Sequence, residues 1–460
     1  MSMPPKVRAE ISKFLERTKR SEEIYEEAKE YIPFGVNSNY RYSEPYPIYV
    51  SRAQGTRIWD VDGNEYIDYF MGYGVLTAGH SHPRLVEVIT EKIKNGTIYG
   101  FEFEESYKLA KIICKRFNVE MVRFSNTGLE CTMHAIRLAR AYTQRDKIIK
   151  FLGTYHGSHD QVLVATKPNL KAAGHPKRPA KVPSCPGIPK SLIEDILIAQ
   201  FNDLESVESI LREHPDEVAA IILEPVPMNM GVILPKKGFL EGLRKLCDEY
   251  GVILIFDEVK TSGKVYGGAE EAFGVKPDMK VMAKAIAGGF PLSVIAGSKE
   301  IMQHYGPGRV AHAGTFNANP ISISAAIVTL EEILTREAMA KAIKLSEDLA
   351  KGYRDVLTDA GIDNYVAIFG TSGNLYFTSE PIYDYHSMVS KLHIGRWWAY
   401  YVSMMNRGII PTAFGFDEQW TVSVQHTEED NQKHLDALQD TVPILKEEIP
   451  NIRLLSMEAF

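Results

Sequence analysis

One stretch of this sequence, SNTGLE at residues 125–130, has the residue types of an anion site at the start of a helix. The N–H groups of a helix's first turn point at one spot where the helix dipole favours negative charge, and Gly128 would allow a close approach. The Thr127 hydroxyl adds a donor, so the stretch suits a phosphate. A plain helix N-cap is the alternative, because Ser, Thr and Asn are common caps.

A second stretch holds an acidic pair, Asp257 and Glu258, at the end of the most apolar run of the chain. Burying a carboxylate without a partner is expensive, so we expect a cation beside it. A protonated pyridine nitrogen would fit, because the carboxylate keeps that nitrogen protonated and lets the ring accept electrons. An N-cap or a magnesium ligand is the alternative, although no Gly-rich phosphate loop precedes the pair.

A third stretch places one lysine, Lys284, among small and apolar neighbours and before two glycines. Apolar surroundings disfavour the ammonium form, which favours the neutral amine that imine formation needs. The small neighbours leave room for a flat ring. A surface lysine is the common alternative, and it becomes the weaker one because a phosphate site and a carboxylate precede Lys284 in the chain.

The elements around these stretches alternate between strand and helix. From about residue 80, apolar runs such as 120–124, 218–223 and 252–256 alternate with helical patterns, which indicates an α/β fold with a mostly parallel sheet between helices. Ligands of such sheets bind at the carboxyl ends of the strands, where all three stretches lie. Residues 48–69 are typical of a small antiparallel unit, and one long helix is predicted over 320–357.

Size and composition exclude several classes of protein. A chain of 460 residues with 45% hydrophobic and 24% charged residues fits a globular protein of more than one unit, and its net charge of -7 provides no basic face for nucleic acid. No apolar run reaches the roughly 18 residues of a membrane span. The four cysteines are far apart and predict neither a zinc cluster nor a disulfide framework. The charged N-terminus lacks the apolar core of a signal peptide, which predicts a cytoplasmic location.

Taken together, the three stretches and their surroundings resemble the class III aminotransferases of fold type I, and most closely the glutamate-1-semialdehyde aminomutases and related β-amino-acid transaminases. The resemblance runs from about residue 35 to residue 427. It is carried by GVNSNYR at 35–41, VDGNEYIDY at 61–69, GHSHP at 79–83, AIRLARAYTQRDKIIKFLGTYHGSHD at 135–160, EPVPMNMGV at 224–232, FDEV at 256–259, PDMKVMAKAIAGGFP at 277–291, GTFNANP at 314–320 and HTEED at 426–430.

The resemblance implies the architecture and the cofactor. We expect an N-terminal segment at 1–79, a large cofactor-binding domain at 80–325 with a mostly parallel seven-stranded sheet between helices, and a small α+β domain at 326–460. The implied cofactor is pyridoxal 5'-phosphate. The implied partners are a small-molecule amino donor, an oxo-acid acceptor and a second copy of the chain, with no nucleic acid, membrane or metal.

Residue roles follow from the resemblance position by position. Lys284 would hold the cofactor as a Schiff base, and Asp257 would bind the ring nitrogen. Thr127, Gly128 and Leu129 would hold the phosphate, although Leu129 replaces the usual threonine and one hydroxyl is lost.

Four more residues are implied to surround the cofactor. Tyr155 would stack on the ring, Val259 would pack against the opposite face, and Asn229 would donate to the phenolic oxygen. Thr315 would reach the phosphate of the neighbouring subunit, so the resemblance implies a homodimer with the active site at its interface.

Substrate binding is implied for Arg41 and Tyr73. Arg41 would bind the substrate carboxylate through two parallel hydrogen bonds, and Tyr73 would form an aromatic wall. An arginine paired with a surface acid is the alternative for Arg41. Glu418 aligns loosely with an active-site carboxylate of the aminomutases. The histidines at positions 156 and 159 are expected to be structural rather than metal ligands.

Two reactions fit these residues. A ping-pong transamination would use Lys284 as tether and proton carrier, whereas an aminomutase would move the amino group between adjacent carbons of glutamate semialdehyde. The resemblance favours the aminomutase in overall similarity. Transamination is nevertheless preferred, because the basic, proline-rich residues 167–189 replace the short Gly-Ser-Gly gate of the aminomutases. This segment is too long for a simple connection and is expected to be a lid or a surface excursion. A cofactor-binding protein without catalysis is disfavoured, since both Lys284 and Asp257 are present.

Overall fold

The computed structural model describes residues 3–455 and divides them into two compact units. We call residues 83–339 with 382–390 the central unit, and residues 3–82, 340–381 and 391–455 the terminal unit. The predicted domain boundaries at 79 and 325 stay a prediction.

The strands belong to four sheets. In chain order they are β1 (Val50–Gln54), β2 (Arg57–Asp60), β3 (Glu65–Asp68), β4 (Met121–Ser125), β5 (Lys147–Phe151), β6 (Gly174–His175), β7 (Arg178–Pro179), β8 (Ile196–Ala199), β9 (Val218–Leu223), β10 (Ile253–Glu258), β11 (Met279–Met282), β12 (Ser293–Gly297), β13 (Tyr365–Phe369), β14 (Ser372–Tyr376), β15 (Ile409–Ile410) and β16 (Trp420–Thr421).

The helices surround these sheets. In chain order they are α1 (Pro5–Arg17), α2 (Lys19–Ala28), α3 (Met71–Gly74), α4 (Pro83–Ile93), α5 (Glu104–Arg116), α6 (Gly128–Thr143), α7 (Leu170–Ala173), α8 (Lys190–Glu194), α9 (Leu204–Glu213), α10 (Phe239–Tyr250), α11 (Gly268–Phe273), α12 (Lys299–Met302), α13 (Pro320–Val328), α14 (Arg336–Asp359), α15 (Tyr385–Ser390), α16 (Ile394–Met405) and α17 (Glu428–Leu445).

The central unit is built on a seven-stranded sheet in the order β4-β12-β11-β10-β9-β5-β8. Strand β12 is antiparallel to both neighbours, and the other six strands run parallel. Every residue of β8 to β12 is buried, because helices cover both faces of a parallel sheet. The predicted mostly parallel seven-stranded sheet is confirmed.

The prediction of one continuous helix over residues 320–357 is wrong, because the structure has two α-helices here. Helix α13 passes into a π-helical turn at Thr329–Ile333, and α14 begins only at Arg336. The Arg116 guanidinium donates to the carbonyls of Leu330 and Leu334 at 2.7 and 2.9 Å, and these carbonyls lie at the break. A distant arginine thus satisfies the backbone oxygens that a continuous helix would have used.

Residues 167–189 form an ordered excursion on the central unit. The excursion contains α7 and the two-stranded hairpin β6-β7, and Ala165 N donates to Val182 O at 2.6 Å at its base. The Tyr385 hydroxyl donates to Pro168 O at 2.6 Å, and a Cβ at Gly153 would overlap the buried Tyr385 ring. A tyrosine from the C-terminal third of the chain therefore fixes the start of this excursion.

The terminal unit contains the sheets β1-β2-β3-β15 and β13-β14-β16 packed with α14, α16 and α17. In its core the Tyr353 and Trp420 rings are stacked with centroids 5.3 Å apart, and Trp420 Nε1 donates to Ser346 Oγ. Leu349 lies in the same core and is fully buried. Large apolar and aromatic side chains from distant segments thus hold this unit together.

We expect Leu349→Ala to destabilise the terminal unit by about 2–5 kcal/mol, because it leaves a cavity that the aromatic core cannot fill. The measurement is thermal unfolding of the purified protein. Lys351→Ala on the same helix is the control, since Lys351 is exposed and pairs with Asp355. Equal melting temperatures for the two variants would contradict the assignment of the core.

Candidate active site

The carboxyl ends of five parallel strands bring the predicted cofactor residues to one edge of the central sheet. Thr127 follows β4, Tyr155 follows β5, Asn229 follows β9, Asp257 lies in β10 and Lys284 follows β11. These residues lie far apart in the sequence. The parallel topology alone therefore gathers them into one place.

Asp257 is a buried carboxylate with only 4% of its surface exposed. Its Oδ2 lies 2.6 Å from His156 Nδ1, and its Oδ1 accepts a hydrogen bond from Val259 N at 3.1 Å. Burial raises the pKa of Asp257 to about 7, and the charge of Lys284 partly opposes this rise. A cationic group placed against Asp257 would relieve the cost of its burial.

His156 is the partner that orients Asp257. Burial lowers the pKa of His156 to about 3, so the imidazole is neutral, and its Nε2 lies 3.1 Å from Thr154 Oγ1. Sequence reasoning gave this histidine a structural role only. Its contact with Asp257 depends on neighbouring strand ends, and no local spacing in the sequence signals it.

Glu258, the other half of the acidic pair, has a separate role. Its Oε2 accepts hydrogen bonds from Ala269 N at 2.6 Å and from Thr261 Oγ1 at 3.1 Å. Glu258 therefore fixes the turn that leads into α11.

Lys284 occupies a strained backbone position. Its φ of 54° lies in the left-handed region, where a side chain with a Cβ costs about 1–2 kcal/mol, and a single 3-10 turn, Lys284–Ala287, begins there. The side chain is half-buried. Strain of this kind is retained where surrounding contacts demand one orientation, which fits a lysine that must meet a ligand.

Glu224 clamps two further predicted residues. Its Oε1 accepts from Tyr155 N at 3.1 Å, and its Oε2 accepts from Asn229 Nδ2 at 2.8 Å and from the backbone N–H groups of Met228 and Asn229. Burial raises the pKa of Glu224. Sequence reasoning missed this residue, although an acid directly after an apolar strand was the same signal that singled out Asp257.

The stretch at 125–130 forms a helix N-cap, and the predicted anion site at the same place stays a prediction. Thr127 is the N-cap of α6, and Glu130 completes a capping box by accepting from Thr127 N at 2.9 Å and from Asn126 N at 2.6 Å. The N–H groups of Gly128 and Leu129 and the Thr127 hydroxyl proton are left to face an anion.

Gly128 is required for the packing around this stretch. A Cβ at position 128 would lie 2.9 Å from Val259 Cγ2, which is too close for a normal contact. The glycine therefore lets Val259, two residues after Asp257, approach the predicted phosphate site.

Thr315 is exposed on a turn that is tied to the same stretch. Asn126 Nδ2 donates to Asn317 Oδ1 at 3.1 Å, and Ser125 Oγ lies 2.9 Å from His312 Nε2. The neighbouring Phe316 has 64% of its surface exposed. The turn thus presents both side chains to the outside of this chain.

Arg41 and Tyr73 lie in the terminal unit. Arg41 is exposed, and within residues 3–455 its guanidinium forms no ion pair, so the alternative of an arginine held by a surface acid is not seen there. Burial raises the pKa of Tyr73, and the charge of the buried Glu418 raises it further. The charge of Arg41 lowers the pKa of Tyr73. Both charges therefore lie near the Tyr73 hydroxyl.

The backbone that carries Tyr73 is unusual. Met71, Gly72, Tyr73 and Gly74 all have positive φ values, between 47° and 77°, so α3 is one left-handed turn. The Tyr73 hydroxyl donates to Tyr40 O. This turn borders a cavity of about 480 Å³ in the terminal unit, whose wall includes Arg41 and several aromatic side chains.

The residues of the central unit fit pyridoxal phosphate. The buried carboxylate of Asp257 would accept a hydrogen bond from a protonated ring nitrogen, and the glycine at 128 keeps space that a Cβ would fill. The Thr127 hydroxyl and the first-turn N–H groups supply donors suited to a phosphate.

Comparison with known proteins decides the family, because the family model described as "Aminotransferase class-III" matches residues 39–382. This chain belongs to the class III aminotransferases. It is an enzyme that uses pyridoxal phosphate, as the sequence predicted. The predicted fold type I architecture is confirmed as well.

Three relatives illustrate the similarity. A glutamate-1-semialdehyde 2,1-aminomutase from Methanosphaera stadtmanae is 40% identical over 91% of this chain and 97% of its own length. An omega-transaminase from Sphaerobacter thermophilus has a TM-score of 0.86 at 31% identity, covering 93% of this chain and 98% of its own. A transaminase with PLP bound has a TM-score of 0.83 at 32% identity, with the same coverage.

Residues 3–455 contain neither a membrane-spanning helix nor a metal-binding cluster. No helix in this part of the chain combines the length and apolar composition needed to cross a membrane. No cluster of three or more His, Cys, Asp or Glu side chains within the same residues could hold a metal ion.

The His156–Asp257 pair predicts how the stability of the cofactor-free protein depends on pH. In the unfolded chain near pH 5 (roughly midway between the two ordinary values), a histidine of pKa 6.5 is protonated and an aspartate of pKa 3.8 is not. In the folded chain the pKa of His156 is about 3 and that of Asp257 is about 7, so the histidine is neutral and the aspartate is protonated. The pair then holds one proton in both forms and contributes no slope between about pH 4 and 6.5.

Single variants should break this balance in opposite directions. In Asp257→Asn only His156 remains, the unfolded state binds more protons, and stability should rise with pH. In His156→Gln only Asp257 remains, the folded state binds more protons, and stability should fall as pH rises. Each slope is limited to about 1.4 kcal/mol per pH unit. Melting temperatures between about pH 4.5 and 6.5 test this, and parallel curves for both variants and the wild type would contradict it.

Proposed function

We propose that this enzyme moves an amino group within one carboxylate-bearing substrate, as a glutamate-1-semialdehyde 2,1-aminomutase does. The 40% identity to such an aminomutase over 91% of the chain carries the proposal, since the two transaminases are 31% and 32% identical. Sequence reasoning preferred intermolecular transamination, and the comparisons favour the alternative.

The residues at the sheet edge have distinct roles in this proposal. When bound, the cofactor withdraws electrons from the substrate carbon that carries the amino group. Lys284 tethers the cofactor at rest, and its freed amine takes the proton from that carbon and returns it on the cofactor side. Asp257 keeps the ring nitrogen protonated, and His156 holds Asp257 in place through the contact at 2.6 Å.

The remaining predicted residues hold the cofactor. Gly128 and Leu129 bind the phosphate through N–H groups, and Thr127 binds it through its hydroxyl. Tyr155 and Val259 enclose the ring from opposite faces. The phenolic oxygen accepts from Asn229, whose amide is oriented by its hydrogen bond to Glu224 at 2.8 Å.

Arg41 binds the substrate carboxylate in this proposal, with Tyr73 as a neighbouring wall. The guanidinium suits the role because it is exposed and makes no ion pair within residues 3–455. Glu418 is buried near the Tyr73 hydroxyl and adds a carboxylate to the same part of the terminal unit.

We also infer a homodimer and a cytoplasmic location. Thr315 and the exposed Phe316 lie on one turn, and Phe101 of the same unit has 87% of its surface exposed. A second copy of the chain would cover these aromatic rings and place Thr315 at the neighbouring phosphate.

Intermolecular transamination is the second candidate, and residues 167–189 favour it. They form the ordered excursion that Tyr385 and the hairpin β6-β7 fix, in the place where the aminomutases carry a short gate. Without such a gate an aminated intermediate would escape, and a separate oxo acid would have to complete the reaction.

A single-substrate assay separates the two candidates. We expect the holoenzyme to convert glutamate-1-semialdehyde into 5-amino-4-oxopentanoate without any second substrate. Chromatography of the products measures this conversion. The aminomutase proposal fails if this substrate is inert and an amino acid is deaminated only when a 2-oxo acid is added. Lys284→Ala should abolish both reactions and the visible imine band, because it removes the tether and the proton carrier.

Arg41→Gln should raise KM for a carboxylate substrate about tenfold or more and change kcat less, because a charge-assisted pair of hydrogen bonds is lost. Steady-state kinetics measure the split. Arg8→Gln is the control, since Arg8 is an exposed arginine on α1. An unchanged KM in the Arg41 variant would exclude Arg41 as the carboxylate ligand.

A further inference from the structure

Lys150 is a fully buried lysine near the carboxyl end of β5, and the proposed mechanism does not use it. Its Nζ lies within hydrogen-bond distance of four oxygens: Thr154 O at 3.0 Å, Val162 O at 2.9 Å, Val164 O at 2.8 Å and Thr166 Oγ1 at 2.9 Å. All four belong to the chain that follows β5. One amine therefore gathers a loop of thirteen residues, 154–166.

This loop carries the residues that face the cofactor. Tyr155 follows the first carbonyl that Lys150 binds, and His156 comes next. The Thr154 hydroxyl also lies 3.1 Å from His156 Nε2, and His156 contacts Asp257 at 2.6 Å. Thr154 thus contacts Lys150 through its carbonyl and His156 through its hydroxyl, and His156 contacts the carboxylate proposed to bind the ring nitrogen.

The electrostatics point the same way. Burial lowers the pKa of Lys150 to about 7, which means that the sheet bears a cost to keep an amine there. The charge of Lys150 in turn helps burial to lower the pKa of His156. A leucine at this position would pack without that cost but would remove the Lys150 donor from three backbone carbonyls, leaving Thr154 O and Val162 O with the longer contacts from Thr166 Oγ1 at 3.2 and 3.3 Å.

A second buried lysine gives a comparison within the same sheet. Lys280 in β11 is also almost fully buried, but its Nζ donates to Phe117 O at 2.6 Å and pairs with Glu270. Neither partner belongs to a predicted cofactor residue. Lys280 is therefore a buried lysine like Lys150, but its contacts do not connect it to the site.

We propose that Lys150 is a positioning residue that holds residues 154–166 in the shape that presents Tyr155 and His156 to the cofactor. The proposal rests on the use of pyridoxal phosphate and is independent of whether the enzyme is an aminomutase or a transaminase. Failure of the single-substrate assay would leave it unaffected.

The test compares Lys150→Met with Lys280→Met. Hydrogen exchange of the cofactor-free proteins is followed by mass spectrometry across residues 153–166, and cofactor dissociation is measured after dialysis. We expect Lys150→Met to exchange about tenfold faster or more in this loop and to bind pyridoxal phosphate about tenfold more weakly. Lys280→Met should lower the melting temperature without either change.

A spectroscopic readout separates positioning from general stability. In the holoenzyme the pH titration of the visible imine band reports the surroundings of the ring, and we expect its midpoint to shift in Lys150→Met and not in Lys280→Met. The proposal is overturned if the two variants lose stability alike while loop exchange, cofactor affinity and the imine titration stay as in the wild type.

A milder variant keeps the test decisive if Lys150→Met does not fold. Thr166→Val removes one of the four oxygens around Nζ, together with the contacts of this hydroxyl to Thr154 O and Val162 O, and leaves Lys150 in place. We expect a smaller change of the same kind, with a severalfold faster exchange confined to residues 153–166. Wild-type exchange in this loop would overturn the proposal.

Discussion

The cost of burying charge at the carboxyl edge of one sheet governs this structure. Asp257, Glu224 and Lys150 are all buried there, and each must recover in protein contacts the stabilisation that water would give. Glu224 does so with N–H donors, and Lys150 does so with carbonyls. Asp257 accepts from fewer donors, so burial is less fully offset and the pKa of Asp257 is raised. A protonated ring nitrogen would offset this cost, which supports the proposed cofactor site at this edge.

The rest of the central unit holds the loops at that edge in fixed positions. Parallel strands buried on both faces bring five separate loops together, and each loop is then fixed by a short contact of its own. The capping box at Thr127, the space at Gly128 and the left-handed backbone at Lys284 are three different solutions to one requirement. All three shape the stretches that are proposed to hold the cofactor.

Sequence alone predicted the parts that depend on local signals. Strand-helix alternation predicted the parallel sheet. An acid after an apolar strand and a lysine among small residues singled out Asp257 and Lys284 as candidate site residues. The contact of His156 with Asp257 joins positions 101 residues apart, so no local pattern could indicate it. The break between α13 and α14 escaped prediction for the same reason, because the arginine that stabilises it lies more than 200 residues away.

Tyr385 has a consequence for the order in which the chain can assemble during synthesis. Its ring packs against Gly153 and its hydroxyl binds Pro168 O, yet it leaves the ribosome more than 200 residues after both. The central unit therefore lacks one of its fixing contacts until the chain has been made as far as α15. Until then the excursion at 167–189 is an unfinished surface on an otherwise folded sheet, and it would be the first target of a protease acting on the nascent protein.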